Sequence, residues 1–341
     1  MNHNRRSYAM DGLKLLFMLL IVVHHSSYYY DRLHHAYMAV DLFFMISGYL
    51  LIRTLRTKPQ MGAGGYFLSR IRKLYPHYLL SFAVMFLSTS VYKVRTITPA
   101  MLLRALPEIL LVQNLGIFGG GVNYPCWYLS VLVFAGVLVF FLGRKLPQCW
   151  FNALAVICAA VTYSCILHST GGSMETFATV GIFYLPFWRG VAGLFCGTLL
   201  YQLHNALQPV FRKYAGIFRV IELTSLTLAV VLMFFSGQVD GPILLCIFLL
   251  LLSVGSEGSV IERGSNCAAV KASIHYEYAV FLNHAFVIGM VKKFFVERFG
   301  FNAPINLAVL LTALVIYSVI TQTFVTRAVR SFRKRTEKEN T

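Results

Sequence analysis

Charge is scarce in this sequence, and acid is scarcer still: Asp, Glu, Lys and Arg make up 13% of the 341 residues, as 13 acids against 30 Lys and Arg. Soluble globular domains carry about a quarter charged residues, so a water-soluble fold is excluded. Cysteine is present but unorganised. Its seven copies show no CxxC spacing, and most lie in apolar stretches, where a free thiol behaves as a small hydrophobe. Neither a disulfide framework nor a metal site is expected. Internal repeats and low-complexity linkers are missing, as is a small-residue cleavage site after the first apolar run. The chain therefore reads as one integral domain over 1–330 with a basic tail at 331–341, and without a cleavable signal peptide.

What is there is apolar: 57% of the residues are hydrophobic and the mean hydropathy is +0.66. Segments of near-spanning length recur, as the hydrocarbon core demands of a helix, near 12–30, 36–52, 75–92, 124–142, 149–167, 181–202, 219–236, 242–256, 274–291 and 304–326. The expected fold class is all-α, a polytopic membrane protein of about ten transmembrane helices. A further apolar stretch near 102–118 is broken by Pro107 and Gly116 and flanked by Arg104 and Glu108. It reads as re-entrant or interfacial.

The cations set the orientation. With the N-terminus inside, the cytoplasmic segments hold Arg5, Arg6, Arg53, Arg56, Lys58, Arg70, Arg72, Lys73, Arg144, Lys145, Arg212, Lys213, Arg219, Arg263, Lys271 and the basic residues from Arg327 onward. The positive-inside rule then puts both termini in the cytoplasm. A net charge of +17 would suit nucleic acid, but a charge confined to one membrane face is better matched to anionic lipid head groups. The bilayer is the expected partner, and nucleic acid is not.

Ionisable groups inside spans cost a few kcal/mol each and usually mark function. Lys14 and His25 share the first span, eleven residues apart. Eleven steps of about 100° place them on one face, about 16 Å apart along the axis. His24 cannot share that face, so the alignment selects His25. A neutral imidazole in an apolar site is a competent general base; the plainer alternative is a His that satisfies a backbone carbonyl. Asp41 opens the second span near the end reached by His25, where an acid can orient an imidazole, bind a hydroxyl or simply face water. Ser47-Gly48, mid-span, fits close helix packing.

Arg70, Arg72 and Lys73 precede Tyr75-Pro76 beside a Gly-rich stretch. They suit a positive-inside boundary or a phosphate clamp. Trp127 and Ser130 lie at the start of another span, where aromatics form an interfacial belt or stack on sugars. Arg189 begins a span followed by Gly193 and Gly197, and needs an anionic or carbonyl partner if buried. Glu277 and His284, two turns apart, form a second acid–imidazole pair that can be structural or catalytic.

The order of these segments resembles the acyltransferase-3 family of integral membrane acyltransferases. The family's first helix carries a basic residue, ten intervening positions and a His, matched here by Lys14 and His25 behind Asp11-Gly12-Leu13. A Val-Asp-Leu-Phe-Phe-x-x-Ser-Gly segment follows at Ala39–Leu50, then a basic cluster ending in Tyr75-Pro76, a Trp-x-Leu-Ser segment at Trp127–Ser130, and Phe281-Leu282-Asn283-His284. The resemblance runs from about residue 8 to 326. Lys14 stands where the family commonly has Arg, Lys73 where it has a second Arg, and Leu132 where many members have Glu.

The resemblance implies transfer of an acyl group, acetyl in the first instance, from acyl-CoA to a hydroxyl of a cell-surface carbohydrate. It implies no permanently bound cofactor and no metal. Arg70, Arg72, Lys73 and Tyr75 would bind the donor, and His25, Lys14 and Asp41 would carry the chemistry. Trp127, Ser130, Arg189, Glu277 and His284 would be acceptor or structural residues. The expected location is the cytoplasmic membrane, multi-pass. Two rivals share the composition: a flippase for lipid-linked glycans, although no paired broken helices are evident, and a sensor or scaffold without catalysis, prompted by Leu132.

Overall fold

The computed structural model describes residues 8–26, 32–93, 97–117, 121–300 and 302–339, with the side chains of 90–93 and 333–339 left aside. Arg5 and Arg6 and the basic side chains from Arg333 onward lie outside the described residues. By internal contacts the chain divides into two units. The first holds Met1–Ser27, Asp31–Phe67 and Val131–Ile274; the second holds Tyr28–Tyr30, Leu68–Ser130 and His275–Thr341.

The helices in chain order are α1 (Tyr8–His25), α2 (Ala39–Thr57), α3 (Ala63–Lys93), α4 (Pro99–Ile109), α5 (Trp127–Lys145), α6 (Gln148–Ser169), α7 (Leu185–Ala206), α8 (Gln208–Lys213), α9 (Ala215–Leu232), α10 (Asp240–Ser253), α11 (Val260–Ser265), α12 (Ala268–Ser273), α13 (Glu277–Val291) and α14 (Ala303–Glu339). Among the described residues, the strands are two short ones, β1 (Thr179–Val180) and β2 (Phe183–Tyr184), paired antiparallel. The fold is all-α and of membrane type. α14 runs on through the basic tail as a continuous helix.

Each apolar stretch of the sequence becomes a helix, but the count of spans differs. Among the described residues, seven helices are both long and apolar enough to cross a membrane, against about ten expected. α3 and α7 are long, at 31 and 22 residues, but polar and charged residues dilute their hydropathy. α10 has 14 residues, about 21 Å of rise against a core of about 30 Å. The segment near 102–118 contains α4, whose 11 residues give about 16 Å and cannot span.

In the first unit, α2 and α7 cross with their backbones almost touching. A Cβ on Gly48 would run into the Leu194 carbonyl, and one on Gly197 into the Met45 carbonyl. Glycine is required there because only hydrogen leaves room for the close approach. Phe151 of α6 packs on Phe195 of α7 with ring centroids 5.7 Å apart. His204 Nε2 donates to the carbonyls of Leu251 and Leu252, both at 3.0 Å, tying α7 to the end of α10. α1 is anchored at its start by Glu262, which accepts from the Ala9 amide at 2.6 Å; an acid there also suits the positive end of the helix dipole. Buried Glu222 in turn takes the Ser259 hydroxyl and the Val260 and Ile261 amides, capping α11.

In the second unit, α4 starts on Thr98, whose side chain accepts from the Met101 amide, with Pro99 at the first turn, as capping chemistry favours. Its last carbonyls are met by hydroxyls: Tyr78 donates to Glu108 O at 2.5 Å and Tyr75 to Ile109 O. These replace the partners a helix end lacks. Phe82 and Phe86 of α3 pack with Ala105 of α4. α13 joins α3 through Ser81 Oγ, which donates to Leu282 O at 2.8 Å, and joins α14 through Asn283 and Thr321 at 2.8 Å.

Candidate functional site

In the first unit the polar groups gather where α1 ends and α2, α7 and α10 begin. Asp41 and Arg189 form its centre. Arg189 Nη2 donates to Asp41 Oδ2 at 2.5 Å and Nε reaches both carboxylate oxygens at 3.2 and 3.3 Å. Tyr163 adds a hydrogen bond to Asp41 Oδ1 at 3.2 Å, and Arg189 Nη1 donates to Met174 O at 2.7 Å. The side chains of the pair are 3% and 0% exposed, which accounts for the partners that Arg189 needed on entering a span. Asp41 thus holds a guanidinium and a phenol.

A second carboxylate organises the imidazoles, and sequence reasoning did not single it out. Asp240, the first residue of α10, accepts from His35 Nδ1 at 2.6 Å, from the Tyr37 hydroxyl at 2.7 Å and from the Met174 amide at 2.6 Å. It is fully buried. Its signal in the sequence was an acid heading an apolar run in a chain with 13 acids, the pattern that marks an acid at the edge of a span.

Lys14 and His25 do lie on one helix, α1. The Lys14 ammonium is paired with Asp11 one turn back at 2.9 Å. His24 Nδ1 donates to Leu33 O at 2.8 Å, since a carbonyl can only accept. Its ring lies 5.4 Å from that of His25 and 5.6 Å from that of Tyr37, and Tyr37 lies 5.7 Å from His35. His25, His24, Tyr37 and His35 are therefore a row of neighbouring rings ending on Asp240.

The second unit offers a cavity of about 270 Å³ lined by Arg72, Lys73, Pro76 and His77 of α3 and by Val325, Thr326, Val329 and Arg330 of α14. Of the four residues expected to bind the donor, Arg72 and Lys73 line it. Arg70 is not among its walls, and Tyr75 spends its hydroxyl on α4. Arg330 and His77 were not foreseen. Arg330 reads locally as one more cation of the basic run that begins at Arg327, and only the packing of α14 brings it to the cluster.

The remaining candidates of this unit stand as follows. Ser130 Oγ donates to Leu111 O at 2.6 Å and accepts from the Asn114 amide at 3.4 Å, fastening the turn after α4 to the start of α5. Trp127 opens α5. Glu277 and His284 both lie on α13, and His284 Nδ1 donates to Phe281 O within that helix at 2.6 Å. Glu108 accepts from the Val122 and Asn123 amides at 2.6 and 2.9 Å. Burial pushes its carboxyl above the ordinary range, while the two amides pull it back. Among the described residues, no group of three or more His, Cys, Asp or Glu is placed to hold a metal ion, and all seven cysteines are free.

Comparison with known proteins adds one match. The acyltransferase-3 family model, described as an acyltransferase domain, matches residues 7–323, nearly the whole chain. No curated protein and no solved structure matches.

Proposed function

The chain belongs to that acyltransferase family, and from this premise we propose that it moves an acyl group, acetyl in the first instance, from acyl-CoA to a hydroxyl of a cell-surface carbohydrate. The observation that carries the donor half is the cationic cavity of the second unit. Arg72, Lys73 and Arg330 stand round a wall that includes Pro76, Val325 and Val329. Guanidinium groups bind phosphate oxygens as a fork and the ammonium binds them as a point charge. At about 270 Å³ the cavity falls just below the size that encloses a whole small molecule, about 300 Å³ and upward. It suits the phosphate portion of the donor, and Arg70, on the same helix α3, is assigned to the donor as well.

The acyl-transfer half falls to the first unit. His25 serves as general base on the acceptor hydroxyl or as transient acyl carrier. Lys14, held by Asp11, keeps a positive charge on the same helix. Asp41 acts through Arg189; Trp127, in the second unit, is the aromatic we assign to a sugar. The acyl donor is a substrate consumed in each turn, so no resident cofactor enters the scheme. The crowding of Lys and Arg into one set of loops supports a cytoplasmic-membrane location with both termini inside.

Replacing His25 with Ala and measuring acylation of the host's surface glycans by mass spectrometry tests the reading. Loss of the acyl mass increment at normal protein level is expected. Unchanged acylation at that level overturns the assignment of His25.

A further inference from the structure

We propose that His35, held by Asp240, is the proton acceptor for the hydroxyl that receives the acyl group, with Asp240 as its positioning residue. The proposal rests on the acyl-transfer reading and names a group in the same polar cluster that neither the family match nor the motif pattern assigns.

Four observations carry it. First, Asp240 is fully buried and His35 Nδ1 lies 2.6 Å from its Oδ1. A carboxylate can only accept there, so the proton of a neutral His35 sits on Nδ1 and its Nε2 presents a lone pair. Second, the imidazole is fixed in place. The His35 amide donates to Met233 O at 3.1 Å, and Asp240 is itself immobilised by the Tyr37 hydroxyl and the Met174 amide. Third, Nε2 is available: the His35 side chain is 12% exposed, and no partner for Nε2 is found among the described residues. Asp41 in the same cluster is already committed to Arg189.

Fourth, the charge that forms during transfer has a partner already in place. Asp240 is buried against His35 while Asp41 is taken by Arg189. An imidazolium formed at His35 during transfer therefore faces a fixed carboxylate where it forms. Among the described residues His24 has no carboxylate at such short range; that of Glu175 lies 4.0 Å from its Nε2 and is exposed.

The step balances within the groups named. His35 Nε2 takes the proton of the acceptor hydroxyl as its oxygen bonds to the acyl carbonyl carbon. The carbon–sulfur bond of the thioester, or the acyl bond to His25 if the acyl group rests there first, then breaks. By the direct route the leaving thiolate takes the proton back; by way of His25, that imidazole first displaces CoA from the thioester, its ring proton leaving with the thiolate, and the proton held by His35 later goes to the His25 imidazolide, so either route ends in an ester and free CoA. With His35 as base, His25 is left the acyl-carrier role.

The test uses the full-length protein purified in detergent, with acetyl-CoA as donor and methyl glucoside or water as hydroxyl probe, and reads CoA release. His35→Asn keeps an N–H for Asp240 and lacks Nε2. It is expected to hold normal thermal stability and to lose turnover by about 10²-fold. His35→Ala is expected to regain part of its rate with added imidazole. Asp240→Asn is expected to lower kcat with KM for acetyl-CoA unchanged, because it loosens the hold on the imidazole and leaves the donor cavity untouched. Normal turnover by His35→Asn in a preparation where wild type is active overturns the proposal alone. No turnover by wild type overturns the acyl-transfer premise and the role of the dyad with it.

Discussion

Arg189 and Asp41 meet at 2.5 Å with their side chains 3% and 0% exposed, and the guanidinium also donates to the carbonyl of Met174. This pair fastens α7 to α2 at the end where the imidazoles collect. Its burial makes each partner dependent on the other.

Removing one partner should therefore cost far more than removing both. Asp41→Leu or Arg189→Met alone leaves a buried charge uncompensated, at about 3–5 kcal/mol. The double substitution should recover most of that loss, because neither desolvated charge remains. Thermal unfolding of the detergent-solubilised protein checks this, and a double variant no more stable than the singles would contradict it.

The α2–α7 crossing makes a steric prediction. Gly48→Ala and Gly197→Ala each place a methyl group against a backbone carbonyl of the facing helix, where no side chain can swing aside. Overpacking of this kind costs about 1–3 kcal/mol. Gly216→Ala, with nothing within 4 Å, serves as the control and should be neutral or slightly stabilising. The fraction surviving a heat step before size-exclusion chromatography reads the difference.

Glu108 is expected to matter for folding and not for chemistry. Its carboxyl closes the Val122 and Asn123 amides, and Glu108→Ala leaves both without that acceptor, at about 1–3 kcal/mol for the buried Asn123 amide and less for the half-buried Val122 amide. Glu108→Gln keeps one acceptor oxygen and should lie between. Specific activity per folded molecule should be unchanged in both variants.

The cavity cations should act on donor affinity. Arg72→Gln, Lys73→Gln and Arg330→Gln are each expected to raise KM for acetyl-CoA about tenfold, the equivalent of about 1.4 kcal/mol, with kcat little changed. Raised salt should narrow the gap between wild type and variant. Arg104→Gln, outside the cavity, should leave KM where it is.

Some of this site could be read from the residues alone. Arg189 announced that it needed a partner because a guanidinium in a span is too costly to leave alone. Gly48 announced close packing because a small residue in the middle of an apolar helix has little other use. Lys14 and His25 fell on one helix because one unbroken apolar run carries both. The part that stayed hidden is contact between distant segments. Asp240 and His35 are 205 positions apart, and nothing local to either marks the other as its partner. Arg330 is similar: it joins Arg72 and Lys73 only through the packing of α14 on α3.

Composition and periodicity by themselves determined that this chain is a helical membrane protein, where its helices fall and which groups are too polar for their surroundings. Those properties are local: the period of the helix and the cost of burying charge act within a few turns. The tertiary structure decided which acid meets which base. It gave Asp41 to Arg189 and Asp240 to His35, and it brought Arg330 into the cationic cavity. Electrostatic pairing falls off with distance through space, not along the chain, so only the folded arrangement of α2, α7 and α10 could make those assignments.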